Sequence, residues 1–394
     1  MIPYPIYRRR ITQTASFLSQ YKTGKPAQLQ LSAFFKTHKQ MGSKDRKSLR
    51  SMVYNWFRAG SSFEGDREHQ IMMANALLDC DLHEELTADL GLPSSWHAWS
   101  LKERSEHLQS TTNWQLDRVF PVELLSEKLD KEAICLHQFT QPLVWLTGPK
   151  PASIAERLAQ KQIRYEENGS AVGVDQTVPL GDVLQGFQFQ VQDLSSQKVL
   201  EAFSEKLSGD ELIWDACAGS GGKTLKLLNL HSGLDIMASD VRPEILKSLH
   251  HRAKGMSRNV ATAQIDLTKA ANELRFESSD GYRTIKQNLF DVLVLDVPCT
   301  GSGTWNRNPE FVHSFDGIPP HLIALQEAII DHSLPFLKPG GLLLYMTCSV
   351  FSAENEAQCD RMADKHQLDV IESGYHKGYQ HQSDSMYYAI FKKP

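Results

Sequence analysis

From Asp210 onward the chain repeats one rhythm: a short apolar run that ends in a carboxylate or a thiol, then a segment of helical spacing. The runs are LIWDAC (212–217), LDIMASD (234–240), ATAQID (261–266), FDVLVLDV (290–297) and GLLLYMTC (341–348). GGKTLKLLNLH and PPHLIALQEAIIDHSLPFL are among the helical patterns between them. Strands alternating with helices predict an α/β domain whose mostly parallel sheet is covered on both faces. In such sheets ligands bind at the carboxyl ends of the strands. Asp240, Asp266, Asp296 and the thiols Cys217, Cys299 and Cys348 all stand at or just past such an end.

Upstream the pattern changes. ITQTASFLSQY, LQLSAFFKTHK and KDRKSLRSMVYNWFRAG carry apolar residues at three- and four-residue spacing, which predicts helices from Ile11 to about Leu90. PSSWHAWSLKERSEHLQSTTNW (93–114) is polar and mixed and reads as a connection between domains. PLVWLTG then predicts a strand, SIAERLAQKQI a helix, and the stretch to FQFQVQD short strands with Gly turns, together a small α/β unit. The expected division is therefore 1–115 helical, 116–200 small α/β, and 201–394 the main α/β domain. A length of 394 residues fits two to three domains.

Charge is distributed unevenly. The first sixty residues hold twelve Lys and Arg against one acid, Asp45, a formal +11 in a chain whose total is −5. Such a segment predicts a polyanionic partner, because Lys and Arg contacts to phosphate release counterions; a solvated helical surface is the bland alternative. No run of about eighteen apolar residues predicts a membrane span, and MIPYPIYRRR lacks the apolar core of a signal peptide. Six cysteines (80, 135, 217, 299, 348 and 359) form no CxxC pair. That argues against a zinc cluster or a disulfide framework and predicts a cytoplasmic protein, expected to be a monomer. Cys80, Cys135 and Cys359, and with less weight Cys217, read as small buried hydrophobes.

WDACAGSGGKT follows the first strand of the series and opens a helix. Gly219, Gly221 and Gly222 let the backbone approach a ligand closely, and the helix start offers free N–H groups. Asp240, ending the next strand, can accept both ribose hydroxyls of a nucleoside cofactor, and Asp266 can reach an adenine edge. Asp296, Cys299 and Cys348 suit a different step. Carbon 5 of a cytosine is a poor nucleophile until a thiolate adds to carbon 6. A carboxyl group at ring nitrogen 3 assists the addition, and a second thiol can assist release.

These blocks resemble the Sun/Fmu-type family of RNA cytosine-C5 methyltransferases, which use S-adenosylmethionine. QVQDLSSQ (190–197) resembles the family's lead-in to its catalytic domain. WDACAGSGGKT resembles its donor loop, usually D-x-C-A-A-P-G-G-K-T. DVPCTGSGTWNRNPE (296–310) resembles the D-x-P-C-[ST]-x-x-G block with its downstream Arg307 and Pro309. YMTCSVFSAENE resembles the T-C-S block followed by Glu354, Asn355 and Glu356. The resemblance implies a Rossmann-like class I methyltransferase fold, with Cys348 as nucleophile, Cys299 aiding product release and Asp296 contacting the cytosine. It implies that Cys217, Ala218, Gly219, Ser220, Gly221, Gly222 and Lys223, with Asp240, Asp266 and Asp296, hold the donor. Gly219-Ser220 replaces the usual Ala-Pro, and Ile245 stands where an Arg is often found, with Arg242 nearby. The basic N-terminal helices resemble the NusB-like RNA-binding domain of the members that act on 16S ribosomal RNA. The expected substrate is therefore a cytosine in small-subunit ribosomal RNA, unstacked to meet the thiols. The alternatives are a tRNA substrate with the same chemistry, or a ribosome-assembly factor that binds RNA without turnover.

Overall fold

The computed structural model describes residues 3–78 and 84–394; Cys80 lies outside them. The chain forms two compact units, one of residues 1–125, 129–141 and 305–317, the other of 126–128, 142–304 and 318–394.

The first unit is helical. Its helices include Tyr4–Gln20, Ala27–Thr37, Ser43–Ala59, Arg67–Leu78, Leu101–Thr111 and Lys131–Gln138. Ser43–Ala59 shows why the sequence folds this way. Leu49, Met52, Val53, Trp56 and Phe57 recur at helical spacing and are buried, while Lys44, Lys47 and Arg50 stay exposed. The connection expected over 93–114 is instead part of this unit. Ser100 and Glu103 form a reciprocal capping box that starts Leu101–Thr111. Trp96 is wholly buried and donates its indole N–H to the Ala76 carbonyl at 2.7 Å. The helical unit accordingly runs past the expected boundary at 115, to Gln141. Nine of the twelve basic residues in the first sixty are exposed, Arg46 is half-buried, and Arg10 and Arg58 are buried. Arg10 pairs with Asp45 at 2.7 Å. Arg58 donates to the carbonyls of Thr140 (3.2 Å) and Asn306 (2.7 Å) and to Gln141 Oε1 (2.6 Å). Burial lowers its pKa to about 10. Residues 305–317, which directly follow the DVPCTGSGT loop, are thus built into the helical unit.

The second unit holds two sheets. The smaller is antiparallel and four-stranded, in the order β2-β3-β1-β4, from β1 (Val144–Thr147), β2 (Tyr165–Asn168), β3 (Ala171–Val174) and β4 (Gln190–Val191). Helix Pro151–Gln160 closes its core through Ile154 and Leu158, packed with Leu146, Val172 and Val174.

The larger sheet has nine strands: β5 (Leu212–Asp215), β6 (Asp235–Asp240), β7 (Ala261–Gln264), β8 (Glu273–Ser278), β9 (Gly281–Lys286), β10 (Phe290–Asp296), β11 (Leu337–Thr347), β12 (Asp369–His376) and β13 (Met386–Lys392). Their order is β12-β13-β11-β10-β5-β6-β7-β8-β9. The central five are parallel and are the five the alternation predicts. An antiparallel pair extends each edge, β13-β12 on one side and β8-β9 on the other. The β8-β9 hairpin has no counterpart among the predicted strands; alternate Leu274 and Phe276, with Ile285 across from them, hold it to the core. Along β10, Leu293 and Leu295 enter one core while Val292 and Val294 enter the other, so the sheet is buried on both faces. β5 lies between β10 and β6, where the strand order reverses. That switch point opens a crevice at the carboxyl ends of β5, β6 and β10.

Candidate active site

β5 ends at Asp215, and the loop from Ala216 to Gly221 leads into helix Gly222–Leu230. Gly221 sits at φ +82° as the residue before the helix, and a Cβ there would lie 2.6 Å from Leu249 Cγ. Only glycine fits both demands. Asp215 is wholly buried, accepts from Thr224 Oγ1 at 2.6 Å through one oxygen, and leaves the other unpartnered. Burial pushes its pKa up to about 6.

A cleft of about 540 Å³ opens over this loop. It is lined by every predicted site residue except Gly221, whose part is to shape the turn from behind. Asp240 is buried and takes four hydrogen bonds. Oδ1 accepts from the backbone N–H and Nε of Arg242, both at 2.9 Å, and Oδ2 from Gly219 N–H at 3.0 Å and Arg242 Nη2 at 3.1 Å. Burial alone would raise its pKa; the donated hydrogen bonds outweigh it and hold the carboxyl below its usual value. Those bonds fill all the lone-pair positions of the carboxylate, and the Arg242 side chain that makes two of them is 61% exposed. Asp266 lies two residues past the end of β7, at the rim. It is bound by Lys269 at 2.9 Å and by Thr268 N–H and Oγ1 at 3.1 and 2.6 Å. Lys269 foremost, then Thr268, lowers its pKa to about 2. The apolar wall of the cleft, Ile265, Leu267, Leu325 and Ile329, was invisible to motif reading. Leu325 and Ile329 show only helical periodicity, which looks the same for core and for cleft.

The two thiols meet because their strands are neighbours. β10 and β11 are parallel with Asp296 level with Met346, so both chains leave the sheet at the same height. Cys299 Sγ and Cys348 Sγ are 3.4 Å apart, too long for a disulfide and close enough for a thiol hydrogen bond. The hydrogen bond to Cys348 foremost, then burial and the nearby Glu354, raises the Cys299 pKa well above the thiol range. Lys223 and Asp296 form an ion pair in the cleft. Burial would lower the Lys223 pKa, and Asp296 more than reverses it.

Buried hydrogen bonds hold both strand exits. Glu354 is wholly buried and accepts from Thr300 N–H at 2.8 Å, Thr300 Oγ1 at 2.6 Å and Gln326 Nε2 at 3.0 Å. Gln326 also donates to the Pro298 carbonyl at 3.0 Å. Gly303 N–H donates to the Cys348 carbonyl at 2.9 Å, and a Cβ there would sit 2.1 Å from the Ser385 carbonyl oxygen. Burial raises the pKa of Cys217, Cys135 and Cys359, as expected of inert thiols.

Among the described residues, no helix is long and apolar enough to cross a membrane. The family described as 16S rRNA methyltransferase RsmB/F matches residues 203–392. Ribosomal RNA small subunit methyltransferase B of Xanthomonas campestris is 31% identical over 240 residues, covering 58% of this chain and 52% of that protein. The same-named protein of Pasteurella multocida is 28% identical over 309 residues, covering 75% and 63%. The chain thus spans about half to two-thirds of the length of these relatives. Among solved structures, PH0851 matches with a TM-score of 0.67 at 19% identity, over 100% of this chain and 99% of that one. A methyltransferase homolog protein from Pyrococcus horikoshii gives 0.53 at 19% identity, over 81% and 99%. At such identities the shared feature is the fold, a helical N-terminal region followed by a Rossmann-like methyltransferase core. The donor-loop block, both cysteine blocks and the parallel sheet that joins them all fall within residues 203–392, and it is over that region that the chain is similar to the RsmB/F family.

Proposed function

We propose that the chain transfers a methyl group from S-adenosylmethionine to carbon 5 of a cytosine in RNA, and that the RNA is small-subunit ribosomal RNA. The observation that carries this reading is the 3.4 Å approach of Cys299 and Cys348 in the cleft that also holds the glycine loop and Asp240. The substrate class rests on the similarity to small-subunit ribosomal RNA methyltransferases. A cytoplasmic location fits two free thiols that must stay reduced at this spacing.

The cleft suits the donor: a glycine turn at a helix start, a carboxylate at the end of β6, and an apolar wall beside it. When bound, S-adenosylmethionine supplies an electrophilic methyl carbon on a sulfonium. The Cys348 thiolate adds to carbon 6 of the cytosine, and carbon 5 becomes nucleophilic. On this reading Asp296, with Lys223 beside it in the cleft, contacts the ring nitrogen edge and favours that addition. Carbon 5 takes the methyl carbon as the sulfonium S–CH₃ bond breaks and its electron pair stays on sulfur. A base then removes the carbon-5 proton, and the carbon 6–sulfur bond breaks to return the Cys348 thiolate. Cys299 fits the role of base only after attack. Once the Cys348 sulfur is bonded to carbon, the hydrogen bond that most raises the Cys299 pKa is gone. Incubation with small-subunit ribosomal RNA from cells lacking the gene tests the reading: one cytosine gains 14 mass units, and no gain on any RNA refutes it.

For the donor, Asp240→Ala weakens S-adenosylmethionine binding by at most about 2–4 kcal/mol, the worth of two hydrogen bonds to a charged acceptor, because each forms only as an Arg242 bond to Asp240 breaks. Arg242→Ala acts in the opposite direction. It frees two acceptor positions that ribose hydroxyls otherwise take only by displacing the guanidinium. Calorimetry checks both; unchanged affinity in folded Asp240→Ala removes Asp240 from the donor site.

For RNA, the helical unit is the proposed electrostatic footprint. Deleting the first sixty residues would strip Leu49, Met52 and Trp56 from its core, so the test neutralises exposed charges instead. Replacing Lys44, Lys47 and Arg50 with Gln lowers the log–log salt slope of RNA binding by about 0.7 for each phosphate no longer neutralised. An unchanged slope makes this face a solvated surface only.

A further inference from the structure

A second cavity, of about 510 Å³, lies within the α/β unit away from the cysteines. One wall comes from the loop before β4 and carries the half-buried rings of Phe187 and Phe189. The opposite wall comes from helices Gly222–Leu230 and Pro243–Gly255, through Asn229 and Arg252. Among the described residues, no carboxylate lines it. Its polar groups are side-chain amides and one guanidinium, a set that recognises the carbonyls and ring nitrogens of a base and the charge of a phosphate. Asn229 carries an amide nitrogen that is buried without a hydrogen-bond partner, which folding alone does not explain. Arg252 joins this cavity to the donor loop. It donates to the Ser220 carbonyl at 2.8 Å, to Ser220 Oγ at 2.9 Å and, on the cavity side, to Gln190 Oε1 at 2.9 Å. Ser220 lines the proposed donor cleft.

We propose that this cavity binds one unpaired nucleotide of the RNA substrate, its base against Phe187 and Phe189 with amide contacts on its edge, and its phosphate toward Arg252. The proposal rests on the reading of the chain as an RNA-modifying enzyme. An aromatic face accepts any base, so the pocket supplies affinity and places the strand without selecting a sequence. A nucleotide held here fixes the path of the RNA relative to the donor loop while the target base is out of its stack.

The test uses the full chain and small-subunit ribosomal RNA from cells lacking the gene. Asn229→Leu and Phe187→Leu, each confirmed as folded by near-ultraviolet circular dichroism and thermal melting, are expected to weaken RNA binding about tenfold. Their S-adenosylmethionine affinity stays at the wild-type value, and in turnover the loss falls on KM for RNA and not on kcat. Unchanged RNA affinity in both folded variants overturns the proposal. Nucleoside monophosphates provide the second arm. If they bind wild type, are lost with Asn229→Leu and compete with RNA, the site is an RNA subsite. If they bind equally well when RNA saturates the protein, the pocket takes a free nucleotide and the RNA assignment falls. Binding and turnover are read separately. Weaker RNA binding in the variants sustains the pocket even if wild type transfers no methyl group, which would refute only the enzymatic reading.

Discussion

Cys348→Ala abolishes methyl transfer and yields no covalent RNA adduct, whereas Cys299→Ala attacks and methylates once, then stalls with RNA bound through Cys348. The two sulfurs are only 3.4 Å apart, yet the steps they serve are chemically different. Addition needs a thiolate at carbon 6; elimination needs a proton taken from carbon 5. Loss of the nucleophile costs at least about 10⁴-fold in rate, by analogy with other covalent catalysts. A denaturing gel reads the outcome directly, as a slow-migrating protein–RNA band for Cys299→Ala and none for Cys348→Ala. The raised pKa of Cys299, due first to its hydrogen bond with Cys348, keeps that thiol protonated, and a protonated thiol is a poor nucleophile. An adduct that persists only in Cys348→Ala would make Cys299 the attacking thiol.

Glu354→Ala destabilises the α/β unit by about 3 kcal/mol and disables the site without touching either sulfur. The carboxylate is fully buried and takes three hydrogen bonds, from Thr300 N–H, Thr300 Oγ1 and Gln326 Nε2. Its removal breaks three hydrogen bonds to a charged acceptor, worth about 1.5–3 kcal/mol each before relaxation, although Gln326 Nε2 keeps the Pro298 carbonyl and Thr300 Oγ1 keeps Ser349 Oγ at 3.3 Å. Thr300 follows Cys299 directly, so the loop bearing that thiol loses its anchor. Thermal melting is expected to fall by roughly 6–12 °C. The variant should lose the release step more than the attack, giving a weaker form of the Cys299→Ala adduct. Glu354→Gln keeps the shape and one acceptor oxygen and recovers part of both. A melting temperature unchanged in Glu354→Ala would mean that the Thr300 loop is held by other bonds.

The central parallel strands were legible because their signal is local. Val292 to Leu295 is a run apolar on both faces, and such a run has few places to go except the middle of a covered sheet. The donor loop was legible for the same reason, since glycines between a strand and a helix state a backbone requirement within a few residues. Residues 93–114 are polar in composition, as a connection would be, yet they belong to the helical unit. Ser100 and Glu103 mark a helix start in the sequence itself. Half of the β8-β9 hairpin was legible, since ELRFES alternates strictly along β8, whereas β9 is exposed at every position but Ile285 and carries no alternation.

The sequence by itself determined which chemical groups are available and that each stands at a strand end: a thiol after Pro298, a thiol after Thr347, a carboxylate at Asp296, and a glycine turn after Asp215. Tertiary structure alone decided which of them meet. Cys299 and Cys348 are neighbours because β10 pairs with β11 in a register that brings both chains out of the sheet together. Asp240 is already engaged by Arg242, a fact of side-chain geometry that no motif encodes. Residues 305–317, contiguous with the cysteine loop, are built into the helical unit, where Arg58 donates to the Asn306 carbonyl, Ala27 N–H donates to Glu310 and Trp56 stacks on His313. Spacing along a chain fixes backbone state over one turn or one strand, whereas a contact such as that of Cys299 with Cys348, 49 residues apart, depends on strand order and register, which are set by how the whole core packs.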